Sequence, residues 1–429
     1  MKEKQNSNIV AIIMMILLFG MISFVTNLAA PMGVVLKSQF GVSNAMGLLG
    51  NMANFIAYAV MGIPGGILLQ RMGYKKTALI AIAIGFVGVL IQYLSGHAGQ
   101  SSAMMVYLLG AFVAGFSMTL LNTVVNPMLN ILGGGGNKGN QLLQIGGSFN
   151  SLMATFTPAF VGILIGEASK ARITDIFPIM YIAMGVFALV FIVLWAFSIP
   201  EPHAERASEA IGNLMSGVIK FRHFVFGAIG IFVYVGVEVG TPATMNLWLS
   251  DLPSVGATIA GSVAGTYWFL MLIGRLCGGA VGAKVSSKTM LTVGSMIASC
   301  LILAAIFSPS SILVSLPVFK SSATGALSFG LAQVPINAMF LVLVGLCTSI
   351  MWGGIFNLAV EGLGKFVPVA SGIFMTMVCG GGIIPWVQGL VADATGYQLS
   401  YWVMFAGFAY LLFYALIGSK NVNKDIKVD

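Results

Sequence analysis

The sequence predicts an all-α membrane protein, with twelve transmembrane helices in two pseudo-symmetric halves of six. Three observations predict it. Of 429 residues, 58% are hydrophobic and 7% charged, with a mean hydropathy of +0.98, which a water-soluble domain of this length does not sustain. The apolar runs, rich in Gly and Met, lack the period-2 alternation of barrel strands, so each backbone must satisfy itself as a helix. The basic residues stand singly between the runs, in a one-sided pattern.

The first run, about 9–36, follows MKEKQNSN; it is too long for a leader and no small-x-small site follows promptly, so it reads as an uncleaved helix. Lys37 separates it from the second run, about 44–70, and Arg71, Lys75 and Lys76 separate that from the third, about 77–95. A polar gap precedes the fourth, about 102–132; the GGGG run with Lys138 precedes the fifth, about 140–167; Lys170 and Arg172 precede the sixth, about 175–198. The stretch EPHAERASEAIGNLMSG with KFRH is the longest charged linker, so the N-terminal half is placed at 1–200, a linker at 201–220 and the C-terminal half at 221–429. There the runs are about 222–249, 257–282, 287–307, 335–362, 367–393 and 398–418. Segment 308–333 interrupts the series as an insertion outside the membrane, expected to be partly helical.

With the N-terminus in the cytoplasm, fifteen basic residues from Lys2 to Lys427 lie inside, and only Lys37, Lys170, Arg172 and Lys320 lie outside. This fits the positive-inside rule, with both termini cytoplasmic. The halves also echo each other. GGILLQRMGYKK after the second run aligns with GGAVGAKVSSKT after the eighth, Gly65 and Gly66 matching Gly278 and Gly279, and Arg71 matching Lys284. Asn126 similarly pairs with Asn357, and Pro158 with Pro385. A parallel repeat of six plus six helices is the arrangement in which a solute binds between halves at mid-membrane.

Several chemistries are excluded. The net charge of +8 comes from scattered residues, so no nucleic-acid face exists. Cys277, Cys300, Cys347 and Cys379 lie in apolar runs without metal-ligand spacing and read as packing thiols. Gly133 to Gly136 with Lys138 lacks the G-K-[ST] ending of a phosphate loop. With no nucleophile–base pair, the chain is not an enzyme, and no cofactor or structural metal is expected.

Glu238 is the informative polar residue. It lies 16 residues past Arg222 and 13 before Asp251, roughly 20 to 24 Å from either charge along a helix. An ionised, unpaired carboxylate at that depth costs about 2.5 to 3.5 kcal/mol on insertion scales, so it asks for a function or a partner. Tyr234 shares its face at i−4, and Asn246 at i+8 is nearly aligned. Asn27 and Asn126 occur beside Pro31 and Pro127, where freed carbonyls make cavity lining and local backbone bonding equally available. Asn51, Asn54, Asn122, Asn150 and Asn357 are further mid-run amides, each readable as lining or as interhelical glue. Among the deep tryptophans, Trp352, one turn before Asn357, is the candidate platform for an apolar ring face. Arg275 lies about 13 Å inward of Lys284; Glu361 is its expected partner.

These stretches resemble a known group. GGILLQRMGYKK is a variant of the loop motif of the major facilitator superfamily. NTVVNPMLNILG, SFNSL, FVYVGVEVG, SIMWGGIFNLAVEGLGK and GGGIIPWVQGLVADATG, drawn from both halves, resemble the fucose:proton symporter family, in its glucose/galactose branch. The resemblance implies the major facilitator fold and a bacterial inner-membrane sugar transporter. Glu238 matches the glutamate of that branch, and Asn27 and Asn126 match family asparagines. The resemblance also implies gating roles for Gly66 and Arg71 in the loop motif and a gating or helix-packing role for Arg275 in its IGR context, with Glu361 as the gating partner. Two departures stand out. The loop motif's acid is Gln70 here and Ala283 in the second copy, and the two carboxylate positions tied to proton movement in the fucose member are Ala30 and Asn122.

The expectation is therefore a monomeric secondary transporter that takes a monosaccharide inward by alternating access in the lipid bilayer. Asn27, Asn54, Asn122, Asn126, Asn150, Tyr234, Glu238, Asn246, Trp352 and Asn357 would line the solute site, with H+ or Na+ coupled at Glu238. An uncoupled sugar facilitator, a proton-coupled exporter of drug-like compounds, and a membrane-embedded sensor or channel remain open.

Overall fold

Helices satisfy most of the backbone of the apolar runs locally, as a hydrocarbon surrounding requires. The computed structural model describes residues 2–28, 35, 39–40, 49–99, 102–165, 172–197, 199–201, 211–321 and 327–423. The helices of the first half are α1 (Lys2–Asn27), α2 (Leu49–Ser95), α3 (Ala103–Leu132), α4 (Gly136–Ile165) and α5 (Phe177–Ala196). A short α6 (Ile211–Ile219) lies in the linker. The second half holds α7 (Arg222–Ser250), α8 (Gly256–Val281), α9 (Ser287–Phe307), α10 (Ile336–Thr348), α11 (Met351–Val360), α12 (Val367–Met377), α13 (Gly380–Thr395) and α14 (Tyr397–Phe413).

Among the described residues, ten helical stretches are long and apolar enough to cross a membrane. One of them, Ala53–Ser95, has 43 residues, about twice what one crossing needs. It breaks at Gly73 (φ 79°, ψ 178°) into the second and third runs, in a conformation glycine adopts without a Cβ penalty. The polar helix α4 completes the twelve. Ala30 and Pro31 lie outside the described residues.

Two features depart from the expectation. The tenth and eleventh runs are each divided, α10 from α11 at Ser349–Ile350 and α12 from α13 at Val378–Cys379. The insertion is not helical. It forms an antiparallel hairpin of β1 (Leu313–Ser321) and β2 (Leu327–Pro335), in register from Leu313↔Pro335 to Ser321↔Leu327. Alternation explains this, because Leu316, Val318, Ala332 and Val334 are buried together on one face, while Pro317 disfavours a helix interior. Phe329 meets Phe269 of α8 edge-on, with ring centroids 5.4 Å apart, so the hairpin lies along that helix.

The halves meet along two equivalent seams, α2 against α12 and α4 against α8. Small residues permit the approach. A Cβ on Gly372 of α12 would stand 2.6 Å from the Gly62 carbonyl and 2.7 Å from Gly66 Cα of α2. On α8, Gly274, Gly278 and Gly282 repeat every four residues, and a Cβ at Gly282 would lie 3.1 Å from Gln141 Cα of α4. The repeated Gly66 and Gly279 are thus contact points between halves. Both Gly372→Leu and Gly185→Leu are informative, since a Cβ at Gly185 meets nothing within 4 Å. Gly372→Leu should lower stability by about 1–3 kcal/mol through overpacking, while Gly185→Leu stays within about 0.5 kcal/mol; thermal unfolding of the purified proteins checks the difference.

Candidate functional site

α7 carries the central acid at a place where the helix is weakened. Pro242 has no N–H to offer the carbonyl four residues before it, which is that of Glu238. The side chain is held from both its own helix and the next. Tyr234, one turn earlier, donates its hydroxyl to Glu238 Oε1 at 2.6 Å. Arg275 Nη2 of α8 lies 3.2 Å from the same oxygen, and both side chains are only 13% exposed. The expected Arg275–Glu361 pair is therefore not formed. Glu361 is exposed at the end of α11, where its backbone carbonyl meets His223 Nε2 at 2.9 Å; the helix rise leaves it too far from the middle of the membrane.

Arg275 also crosses to the other half. Its Nη1 donates to the Gly147 carbonyl at 3.2 Å and to Ser151 Oγ at 2.6 Å, both on α4. Its Nε reaches the Ser349 carbonyl at 3.3 Å, at the break between α10 and α11. Gln144 Nε2 bonds the next carbonyl, Ile350, at 2.8 Å. The divided tenth run thus presents carbonyls that side chains of neighbouring helices satisfy, as irregular backbone at membrane depth must.

A second arm of the same layer starts on α3. Asn122, Asn126 and Asn130 recur every four residues and so share one face. Asn122 Nδ2 donates to Tyr58 of α2 at 2.7 Å. Asn126 Nδ2 donates to the Asn122 carbonyl at 2.8 Å, while its Oδ1 accepts Trp352 Nε1 from the opposite half at 2.9 Å. The Trp352 ring lies 6.2 Å, centroid to centroid, from that of Tyr234. Tyr58, Asn122, Asn126, Trp352, Tyr234, Glu238, Arg275 and Ser151 form one polar and aromatic belt contributed by six of the twelve crossings. Such a belt offers hydroxyl and amide partners beside flat ring faces, the chemistry that a polyhydroxylated ring needs.

The other candidates lie apart from this belt. Asn27 Nδ2 bonds the Ser23 carbonyl of its own helix at 2.8 Å, and Asn150 Nδ2 ties α4 to the Phe19 carbonyl at 3.2 Å. Asn54 faces Gly115, where a Cβ would lie 3.2 Å from Asn54 Oδ1. Asn246 Oδ1 is buried without a hydrogen-bond partner among the described residues. Asn357 is engaged in the seam, accepting from Asn130 at 2.6 Å and donating to Ser287 at 2.9 Å. Arg71 is exposed. The spacing of Asn130 was legible in NTVVNPMLN, whereas nothing in the chain flagged Ser151, Gly147 or Gln144 ahead of their serine, glycine and glutamine neighbours.

The loop after α2's first segment has a different acid from the one its motif lacks. Glu201, beyond α5, accepts the backbone N–H of Tyr74 at 2.7 Å and of Lys75 at 2.8 Å. A carboxylate there faces the positive end of the segment that begins after Gly73. Lys75 Nζ in return bonds the Trp195 and Phe197 carbonyls, at 2.9 and 2.8 Å, where α5 ends. A separate cavity of about 450 Å³ lies between α1, α4 and α8, lined largely by Ile16, Ile145, Phe149, Leu152, Leu272 and Leu276. Its apolar wall suits hydrocarbon and excludes it as the polar site.

With this geometry established, comparison places the chain among known proteins. Residues 12–384 match the family model of the Major Facilitator Superfamily. The chain is 29% identical over 417 residues to a glucose/galactose transporter of Brucella abortus biovar 1 (strain 9-941), covering 94% of this chain and 93% of that protein. It is 21% identical over 385 residues to the L-fucose-proton symporter of Escherichia coli (strain K12), covering 84% and 82%. The solved structure of the transporter FucP in the outward conformation superposes with a TM-score of 0.81 at 20% identity, over 97% of this chain and all of that one. Within the site itself, Glu238→Ala should destabilise the protein by about 3 kcal/mol by stranding the guanidinium, and adding Arg275→Met should restore much of that loss; thermal unfolding of the single and double variants provides the measurement.

Proposed function

Because the chain belongs to the Major Facilitator Superfamily, we propose that it carries a monosaccharide across the bacterial cytoplasmic membrane by alternating access, in symport with H+ or Na+ at Glu238. The observation that carries this reading is the belt that joins the halves through Trp352, Asn126, Tyr234 and Glu238. A site built from two halves is remade whenever they rock, which is the condition for exposing it on alternate sides. Relatives across nearly the full length are named as transporters of glucose and galactose, and hexose hydroxyls match the amide and carboxylate partners that the belt presents.

In the proposed cycle the face bearing the linker and residue 423 is cytoplasmic, in keeping with the distribution of Lys and Arg. The cross-half hydrogen bonds run from Asn130–Asn357 and Gln141–Gly279 near that face up to Arg275–Ser151 at mid-membrane, so this side is sealed and the solute enters from the other. Asn246, with an unpartnered buried oxygen on the outer part of α7, is a ready acceptor for an entering hydroxyl. Trp352 and Tyr234 supply the ring platform. Glu238 ligates the coupling cation or takes the proton.

One observation favours a second reading. Glu238 already has an internal cation, Arg275, at 3.2 Å, and a carrier so neutralised can move sugar without an external ion. Counterflow of a panel of hexoses in proteoliposomes, with and without Na+ and pH gradients, separates the readings. Gradient-driven accumulation is expected, and Glu238→Gln should abolish it while leaving sugar counterflow measurable. Accumulation that survives Glu238→Gln removes the coupling role, and absence of exchange for every sugar removes the substrate class.

A further inference from the structure

The same guanidinium that neutralises Glu238 is also what binds the two halves at mid-membrane. Its acceptors are Glu238 and Ser349 in one half and Gly147 and Ser151 in the other. Gly147 contributes its backbone carbonyl, and a Cβ there would meet Arg275 Cδ at 3.4 Å, an ordinary contact. We infer that Arg275 is a latch that transmits the charge state of Glu238 to the α4–α8 seam, with Ser151 as its catch in the opposite half. The inference rests on the transport reading and adds to it the residues that link ion binding to opening.

The physical argument follows from what a guanidinium can do. It does not lose its proton in a protein, so it cannot neutralise itself when its counter-charge goes. While Glu238 is ionised, Arg275 is paired at membrane depth and its remaining donors close the seam. Once Glu238 is neutralised by a proton or a bound cation, the guanidinium is an uncompensated charge among apolar helices, a state far costlier than the pair. α8 ends at Val281, six residues on, which is about 9 Å along the axis. A long side chain swinging that way reaches the aqueous face, as arginines near helix ends do.

Leaving has a defined structural result. The bonds to Gly147 and Ser151 break together, and the Ser349 carbonyl at the division between α10 and α11 is released with them. Below this point the hydrogen bonds described between α4 and the second half are neutral, Gln141 Nε2 to the Gly279 carbonyl of α8 at 3.1 Å and Asn140 Nδ2 to Met290 Sδ of α9 at 3.3 Å. Neutral hydrogen bonds are roughly half as strong as charge-assisted ones. An ion arriving at Glu238 from one side thereby loosens the seal on the other. The ionisable groups that face Glu238 are Tyr234 on its own helix and Arg275 and Tyr267 on α8, so Arg275 is the cation that this switch acts through.

The test reads the seam directly and needs no solute. The full-length protein in nanodiscs, with its four cysteines replaced, is spin-labelled at Lys138→Cys and Lys284→Cys, one on each side of the seam at the same face. Distances are measured by pulsed electron resonance in the parent, Ser151→Ala, Glu238→Gln and the double variant. Each single change should raise the ratio of long to short distances roughly tenfold, the worth of a charge-assisted bond. The double variant should rise no further, because both changes open one latch. A parent-like distribution in Ser151→Ala, or effects that multiply in the double variant, overturns the inference. Ser151→Ala removes one oxygen and decides the matter alone if the Glu238 variant does not fold. Because no sugar is present, a shifted seam without hexose counterflow rejects only the transported substrate, and hexose counterflow with an unmoved seam rejects only the latch.

Discussion

The structure depends on one constraint, that a guanidinium at membrane depth must keep a counter-charge and acceptors for its hydrogens. Arg275 meets it by reaching out of its own helix to three others, α7 through Glu238, α4 through Gly147 and Ser151, and the divided tenth run through Ser349. A buried ion pair adds little stability relative to an apolar replacement of the same shape, but it is costly to break. That asymmetry makes it poor as mere reinforcement and well suited to a two-state joint.

The surrounding helices are weakened where this joint needs partners. Pro127 lacks the N–H that the Thr123 carbonyl would take, and that carbonyl instead accepts Ser371 Oγ of the other half at 3.0 Å. Pro242 does the same one turn beyond Glu238, leaving that residue's carbonyl without its helical donor. The break at Ser349–Ile350 exposes two carbonyls, one for Arg275 and one for Gln144. At Thr123 and Ser349 a backbone carbonyl outside its own ladder is taken up by a side chain from elsewhere, while the Ile350 carbonyl keeps the Gly354 N–H at 3.3 Å and accepts Gln144 besides. Fixed seams of glycine on α2, α12 and α8 hold the helices close enough for these short contacts.

This arrangement also accounts for which predicted residues gathered and which did not. Asn122, Asn126, Tyr234, Glu238 and Trp352 came together because each lies on an inward face at the same depth. Asn27 and Asn150 point their amides at nearby carbonyls within the first half, the cheaper use of a mid-helix amide. Asn357 lies closer to the sealed face than Trp352 and joins Asn130 there. The loop motif that lost its acid at Gln70 is fastened by Glu201, a residue more than a hundred positions later, so the substitution cannot be read from the motif itself.

By itself the sequence determined the number of crossings, the division into halves, and the isolation of Glu238, because each of these follows from hydropathy and charge spacing along one chain. It also showed that α3 carries an amide stripe, since a spacing of four is a property of a single helix. Only the tertiary structure decided that Glu238 has a partner, that the partner is Arg275, which leaves Glu361 without the pairing expected of it, and that Ser151 completes the contact. Those choices depend on which faces of α4, α7 and α8 are turned toward one another. A lone apolar helix carries no record of that rotation, because lipid-facing and protein-facing positions are equally hydrophobic. The hairpin at 313–335 was missed for a related reason: Leu313, Phe329 and Leu331 stand on the exposed face opposite Leu316, Val318, Ala332 and Val334, so the alternation of buried and exposed positions shows only once the strands are paired.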